Sequence, residues 1–291
     1  MSTAAAAAVA ADDYDRLREM KEFDDSKIGV RGLVESGAAT IPRFFLNPAQ
    51  NLALTRPPTT LSVPTVDLSH LNTRRRPAVV RQIADAARTW GFFQITNHGI
   101  PQSVVDAAIT AVRSFHEQPL AVRSKYYTRD MGNDVVYNSN FDLFQSKVAS
   151  WRDSLYMVLA PRAALDAEEK IPEICRRELV AWDEEVRRVG EVLMEVLSQG
   201  LGLERRKLMQ MRCLEERSLV GQYYPYCPEA ERTMGNVAHT DRSVLTVLVQ
   251  SDVGGLEVKH GEESVQVIPT RGALVVNIGD LLQVSCLYTS H

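Results

Sequence analysis

Long hydrophobic runs are missing from this 291-residue sequence. No apolar stretch reaches the roughly 18 residues that a membrane-spanning helix requires, so the sequence predicts no membrane segment. The alanine run at residues 4–8 has no basic residues before it and is followed by Asp12 and Asp13, unlike a signal or transit peptide. We therefore expect a cytoplasmic protein.

Paired cysteines and an excess of one charge are also missing. The four cysteines are widely spaced without a C-x-x-C pair, which favours reduced thiols over a disulfide framework or a zinc site. The formal net charge of -4 gives no reason to expect a nucleic acid or an anionic membrane as a partner. With 45% apolar and 24% charged residues, the composition is typical of a soluble globular protein.

The first half of the chain is predicted to be mainly helical. Residues 1–13 are of low complexity and we expect them to be disordered. Residues 14–172 form an N-terminal region with helical apolar periodicity, including one helix that starts at Pro77 and another that carries Val105 and Phe115. Residues 92–96 between these two helices predict a buried strand.

The second half, residues 173–291, changes from helix to strands. One long helix is predicted over residues 173–201, and short β-branched segments separated by Gly and Pro follow it. These segments lie near residues 219–224, 244–250, 255–258, 265–268 and 273–278. A helical half followed by regularly spaced short strands favours an α+β fold, with a barrel or jelly roll covered by helices.

The tripeptide His239-Thr240-Asp241 is the strongest chemical signal in the sequence. On an extended segment, side chains two residues apart point to the same side, so the imidazole and the carboxylate can share one metal ion. Together with a second histidine, this ligand pair suits non-haem Fe(II) with positions left open for a co-substrate and dioxygen. Because three residues match by chance in many chains, the tripeptide alone is a weak signal.

Several further motifs accompany the tripeptide in a fixed order. They are Val63-Pro64-Thr65-Val66-Asp67-Leu68, residues 90–101 (WGFFQITNHGIP), residues 222–228 (QYYPYCP), Gly254-Gly255-Leu256 and residues 277–283 (NIGDLLQ). From residue 12 to residue 283 the sequence resembles the plant 2-oxoglutarate- and Fe(II)-dependent dioxygenases. Its opening, including Gly29-Val30-Arg31-Gly32-Leu33, is similar to the subgroup of aminocyclopropane-carboxylate oxidase homologues.

The resemblance implies a double-stranded β-helix (jelly-roll) with flanking helices. It implies that His239 and Asp241 are two of three iron ligands, and that Tyr224 hydrogen-bonds 2-oxoglutarate. Gln222 stands where the family usually has Asn. The implied reaction is hydroxylation of a small-molecule substrate, a specialised metabolite, by O₂.

The sequence departs from the family pattern after residue 283. The family's second ligand histidine and its Arg-x-Ser clamp for 2-oxoglutarate have no counterpart in residues 284–291, and His291 follows an unrelated tail that we do not expect to bind metal. We therefore expect a truncated chain that lacks the last strands and the C-terminal helix, binds iron weakly and turns over little. The alternatives are a non-catalytic form with a binding or regulatory role, and an oxidase that uses ascorbate instead of 2-oxoglutarate.

Two other features have more than one interpretation. His98 lies in a predicted turn, where a hydrogen-bonded structural role is favoured over metal binding. The aromatic residues between 130 and 153 are interpreted as core residues, with a pocket lining as the second interpretation.

Overall fold

The structure is a computed structural model that describes residues 14–47, 60–161 and 170–288, with side chains described up to residue 284. The N-terminal segment predicted to be disordered, residues 1–13, lies outside these ranges, as does His291. Within these ranges, none of the helices combines the length and the apolar character needed to cross a membrane.

Eight α-helices and nine β-strands make up the described chain. The helices are α1 Arg16–Ser26, α2 Gly29–Glu35, α3 Arg76–Thr89, α4 Gln102–His116, α5 Leu120–Arg123, α6 Glu173–Gly200, α7 Lys207–Gln210 and α8 Asp280–Tyr288. The strands are β1 Thr65–Asp67, β2 Phe92–Thr96, β3 Val135–Ser139, β4 Asp153–Ala160, β5 Arg217–Tyr223, β6 Leu245–Leu248, β7 Glu257–His260, β8 Glu263–Gln266 and β9 Leu274–Ile278.

The helices form where apolar residues recur with helical spacing. Helix α3 begins one residue before Pro77 and buries Val80 and Ile83, and α4 buries Val105 and Phe115. The 28-residue helix α6 packs against both α3 and α4. These three helices and the strands beside them enclose the main hydrophobic core.

The strands form two larger sheets and one hairpin. The first sheet has the order β1-β2-β9-β6, in which β2 is parallel to β1 and antiparallel to β9. The second sheet has the antiparallel order β3-β4-β5, and β7 pairs with β8 alone. The α+β class is therefore confirmed, whereas the strands described here do not close into a jelly roll.

Both larger sheets combine strands from the two halves of the sequence. Strands β1 and β2 precede residue 172 and pair in one sheet with β6 and β9, which follow it. Strands β3 and β4 likewise share a sheet with β5. The boundary at residue 172 thus divides the sequence but not the sheets, and the domain division stays a prediction.

A second, smaller hydrophobic cluster joins the N-terminal segment to the middle of the chain. Phe23, Phe44 and Phe45 pack with Trp151, and the rings of Phe45 and Trp151 meet edge to face at 5.1 Å. Tyr137 and Trp151 are buried, as the core interpretation predicts, but Phe141 and Phe144 are exposed. The aromatic residues between 130 and 153 are therefore divided between the core and the surface.

Candidate metal centre

His239 and Asp241 lie in the loop between β5 and β6, six and four residues before Leu245, which begins β6. The sequence predicts an extended segment here, and in the structure residues 239–241 belong to a loop rather than to a β-strand. The loop nevertheless brings the two side chains together, with Nε2 of His239 3.6 Å from Oδ1 of Asp241. This separation is an ion-pair contact rather than a hydrogen bond.

The imidazole of His239 is oriented by the backbone of its own loop. Its Nδ1 lies 2.9 Å from the carbonyl oxygen of Val237. Because a carbonyl can only accept a hydrogen bond, Nδ1 carries the hydrogen and donates it. In the neutral ring Nε2 then keeps its lone pair on the side that faces Asp241, as a metal ligand requires.

The carboxylate of Asp241 is held by two neighbouring strands. Its Oδ2 accepts hydrogen bonds from Thr246 Oγ1 at 2.6 Å and from Asn277 Nδ2 at 3.0 Å. Thr246 of β6 and Asn277 of β9 are paired across the sheet, so both donors approach from one direction. Oδ1 is left to face His239.

Charge and hydrogen bonding keep the aspartate ionised. The nearby imidazole of His239, followed by the donors Thr246 and Asn277, holds the pKa of Asp241 far below its usual value. In turn the Asp241 carboxylate raises the pKa of His239. The described side chains therefore present one carboxylate and one oriented imidazole at a partly exposed position.

The start of helix α8 fixes the loop from the other side. The backbone N–H of Asp280 donates to the carbonyl oxygen of Asp241 at 2.8 Å, and Thr240 Oγ1 donates to Asp280 Oδ2 at 2.9 Å. A Cβ atom at Gly279 would lie only 1.9 Å from the carbonyl oxygen of Ser243, so this position requires glycine. Asp280 therefore begins α8 and contacts the loop through both its backbone and its side chain.

Tyr224 follows strand β5 and is about half exposed. Its ring lies beside Gly235, where an added Cβ would be 3.0 Å from two ring carbons. Gly235 begins the segment that leads to His239, so the structure brings the backbone of this loop against Tyr224. Gln222, which precedes Tyr224 by two residues, accepts a hydrogen bond from Ser154 at 2.6 Å.

The other histidine singled out by the sequence has a structural environment. Nε2 of His98 lies 3.2 Å from the carbonyl oxygen of Gly272, and its Nδ1 accepts the backbone N–H of Ile100. Both ring nitrogens are thereby used within the protein, as the structural interpretation predicts. In the part of the chain that the structure describes, no group of three or more His, Cys, Asp or Glu side chains could hold a metal ion.

The chemistry of the two donors, His239 and Asp241, fits two of the ligand positions of Fe(II). One borderline nitrogen and one hard oxygen lie 3.6 Å apart, and the other polar atom of each side chain is held by hydrogen bonds. Sequence reasoning missed the orienting residues Thr246 and Asn277. The only signal for Asn277 was its place at the head of the motif at residues 277–283.

Comparison with family models covers both halves of the chain. Residues 63–174 match the model described as "non-haem dioxygenase in morphine synthesis N-terminal", and residues 215–290 match that of the 2OG-Fe(II) oxygenase superfamily. A protein of Arabidopsis thaliana, "1-aminocyclopropane-1-carboxylate oxidase homolog 1", is 43% identical over 92% of this chain and 74% of its own length. The chain belongs to the 2OG-Fe(II) oxygenase superfamily.

Membership of the superfamily settles several predictions. The family consists of enzymes that use Fe(II) and 2-oxoglutarate, and the relatives place this chain in the group of aminocyclopropane-carboxylate oxidase homologues. A second such homologue, from Solanum lycopersicum, is 42% identical over 94% of this chain and 75% of its own length. The family match continues to residue 290, so the family-like region extends further than the predicted limit at residue 283.

Solved structures share the architecture. A crystal structure of JOX2 in complex with 2OG, Fe and JA superposes with a TM-score of 0.76 at 30% identity, over 88% of this chain and 74% of JOX2. The rice dioxygenase for auxin oxidation, at 23% identity and a TM-score of 0.64, supports the fold alone.

Proposed function

We propose that this oxygenase hydroxylates a small organic substrate, a specialised metabolite, at a centre built on His239 and Asp241. The observation that carries the proposal is the orientation of His239, whose Nδ1 is engaged by Val237 so that Nε2 faces Oδ1 of Asp241. An imidazole and a carboxylate held in this way are the ligands that non-haem Fe(II) takes in oxygenases. In this proposal the described strands belong to a double-stranded β-helix.

Each residue has a defined part in the proposed reaction. His239 Nε2 and Asp241 Oδ1 hold Fe(II), Thr246 and Asn277 keep the carboxylate in position, and Tyr224 orients 2-oxoglutarate by a hydrogen bond from its phenol. Bound Fe(II) supplies the activation of O₂, coupled to oxidative decarboxylation of 2-oxoglutarate. One oxygen atom enters the substrate as a hydroxyl, and the other enters succinate as CO₂ leaves.

The proposal is tested by metal and co-substrate binding before turnover. The full chain is titrated anaerobically with Fe(II) in the presence of 2-oxoglutarate, and the visible charge-transfer band of an Fe(II)–oxo-acid chelate is recorded. We expect the band to form with the wild type, and to be lost in His239→Ala and Asp241→Ala. Because the described residues supply two ligands rather than three, we expect weak Fe(II) binding.

Oxygen uptake separates this function from its alternatives. Uptake that requires 2-oxoglutarate and yields succinate supports the proposal, and a steady high rate contradicts only the expectation of weak activity. Uptake that requires ascorbate and not 2-oxoglutarate identifies an oxidase instead. A folded chain that shows neither the chelate band nor uptake, but associates with increasing concentration, has a binding role.

A further inference from the structure

Arg152 is a buried arginine that lacks a partner in the described part of the chain. Only 5% of its surface is exposed, and its Nε is enclosed without a hydrogen bond. No ion pair between described residues includes its guanidinium. Since a charge removed from water requires a countercharge or hydrogen bonds, an uncompensated guanidinium indicates a place for an anion.

A second buried arginine shows what compensation looks like in this protein. Arg123 is fully buried, and its Nη2 lies 2.7 Å from Oε2 of Glu35. Its Nη1 also donates to the carbonyl oxygen of Gln118 at 2.9 Å. Nε of Arg123 also has no hydrogen bond, so the two arginines differ in their Nη groups: those of Arg123 are paired, and those of Arg152 have no partner among the described residues. Arg123 is therefore the matched structural control.

Strand pairing places Arg152 on the same face as Tyr224. In the β4–β5 ladder Ser154 is opposite Gln222 and Asp153 is opposite Tyr223, so continuing the register places Arg152 opposite Tyr224. The hydrogen bond between Ser154 and Gln222 shows that this face is shared across the ladder. Side chains alternate along a strand, so Arg152 and Ser154 point away from the face of Asp153.

The segment that carries Arg152 is also held against the loop that carries the candidate metal ligands. The backbone N–H of the adjacent Trp151 donates to the carbonyl oxygen of Met234 at 2.8 Å, which ties this segment to the loop that carries His239. The strand register and this hydrogen bond thus place residue 152 next to Tyr224 and next to the segment that leads to His239.

We propose that Arg152 binds a carboxylate group of the substrate beside the His239–Asp241 pair. The planar guanidinium donates two parallel hydrogen bonds to a carboxylate, which gives direction as well as charge neutralisation. The inference rests on the proposed function and narrows it, because the substrate is then an organic acid. Arg152 is the residue that selects it.

The first test compares a carboxylate with its neutral isostere. Binding of phenylacetate and phenylacetamide at millimolar concentration to the full chain is followed by saturation-transfer NMR. We expect the wild type to prefer phenylacetate, and Arg152→Gln to weaken phenylacetate binding about tenfold or more without affecting phenylacetamide. Arg152→Lys keeps the positive charge but not the planar pair of donors, so we expect it to retain part of the preference for phenylacetate over phenylacetamide.

A carboxylate of 2-oxoglutarate has the same chemistry, so its binding is measured on the same variants. Unchanged 2-oxoglutarate affinity in Arg152→Gln, with loss of phenylacetate, supports a substrate carboxylate. Loss of 2-oxoglutarate affinity with phenylacetate unaffected overturns the substrate assignment. A wild type that binds both probes equally, or neither, also overturns it.

Urea unfolding distinguishes a binding role of Arg152 from a structural role, because the two roles predict different changes in stability when the arginine is replaced. Replacing an unpaired buried charge with an apolar side chain of similar length removes a penalty, so Arg152→Met is expected to unfold at the same urea concentration as the wild type or a higher one. Arg123→Met removes the ion pair with Glu35 and the hydrogen bond to the carbonyl oxygen of Gln118, so this variant is expected to unfold at a clearly lower urea concentration. If both variants lose stability alike, Arg152 is structural and the proposal fails.

Neither readout requires iron or turnover. If acid preference is absent while O₂ uptake still depends on 2-oxoglutarate, only the role of Arg152 is wrong. If acid preference depends on Arg152 but the chelate band and O₂ uptake are absent, the proposed oxygenase function is wrong and the anion site remains.

Discussion

Thr246 donates its hydroxyl hydrogen to Oδ2 of Asp241 across 2.6 Å. Asn277, its partner in the β6–β9 ladder, donates to the same oxygen. Two donors on Oδ2 leave Oδ1 as the atom turned toward His239. The sheet therefore fixes the orientation of a carboxylate that itself belongs to a loop.

Removing the Thr246 hydroxyl should weaken metal binding. Thr246→Val keeps the shape of the side chain but takes away one donor, so we expect Fe(II) affinity to fall by about tenfold, as when an orienting residue is lost from a metal ligand. Metal titration of the apo chain measures the effect. Thr246→Ser retains the hydroxyl and should bind like the wild type; equal affinity in the Val variant would mean that Asp241 needs no such support.

Substitution of the adjacent tyrosines Tyr223 and Tyr224 should have different effects, on stability in the first case and on co-substrate binding in the second. Tyr224→Phe removes the phenol proposed to bind 2-oxoglutarate, so we expect 2-oxoglutarate affinity to fall with Fe(II) affinity unchanged. Tyr223 instead accepts a hydrogen bond from Arg31 at 2.9 Å and donates to Glu117 at 3.2 Å. Tyr223→Phe should cost about 1 kcal/mol of stability and leave 2-oxoglutarate affinity unchanged.

These two variants are compared by isothermal titration with 2-oxoglutarate and by urea unfolding. Successive residues of a strand point to opposite faces, which is the reason for expecting opposite results. If Tyr223→Phe affects 2-oxoglutarate affinity as strongly as Tyr224→Phe, the assignment of Tyr224 fails.

Local elements were predictable because their signals are local. Pro77 before an apolar stripe predicts α3, and the β-branched segment at residues 273–278 predicts β9. The pairing of β2 with β9 was not predictable, because it joins residues such as Phe92 and Asn277, far apart in the sequence, through contacts that leave no local periodicity. Helix α8 was missed for a related reason, since its start depends on the packing of Gly279 against Ser243.

The candidate site was predictable in its residues but not in its geometry. The tripeptide and its accompanying motifs named His239 and Asp241, yet the sequence cannot show that Val237 orients the imidazole. Arg152 gave no sequence signal at all. An unpaired charge becomes visible only when the burial of a side chain and the absence of partners among described residues are known together.

Asp153 should be required for the docking of helix α2. Its Oδ1 accepts the backbone N–H of Val30 at 2.8 Å, and its Oδ2 accepts that of Arg31 at 2.9 Å. In Asp153→Asn the amide NH₂ must face one of these N–H donors, so we expect a loss of about 2–3 kcal/mol in the free energy of unfolding.

Urea unfolding measures this loss, and Asp67→Asn provides the control. Asp67 also accepts two hydrogen bonds through its side chain, but from the exposed groups of Ser69 and Asn97. The control should lose much less stability because water replaces an exposed partner. Similar losses in both variants would show that burial of Asp153 has no special effect.

Mild acid should destabilise the fold through His116. The side chain is fully buried, its Nε2 lies 3.2 Å from the carbonyl oxygen of Gly221, and its Nδ1 has no hydrogen-bond partner among the described residues. Burial, the largest cause, lowers the pKa of His116 from 6.5 to about 3, against the opposing effect of the Gly221 carbonyl.

The sign of the effect follows from which state binds the proton. Above pH 6.5 both states are neutral at His116 and its stability contribution is complete; as the pH falls below 6.5, the unfolded chain takes up a proton that the folded protein excludes until about pH 3. The free energy of unfolding should therefore fall by about 2 kcal/mol between neutral pH and about pH 5. Urea unfolding across this range measures the loss, and His116→Gln should reduce it. NMR titration of the wild-type imidazole provides a readout that does not need the variant to fold, and a His116 signal that titrates near its ordinary pKa would contradict the prediction.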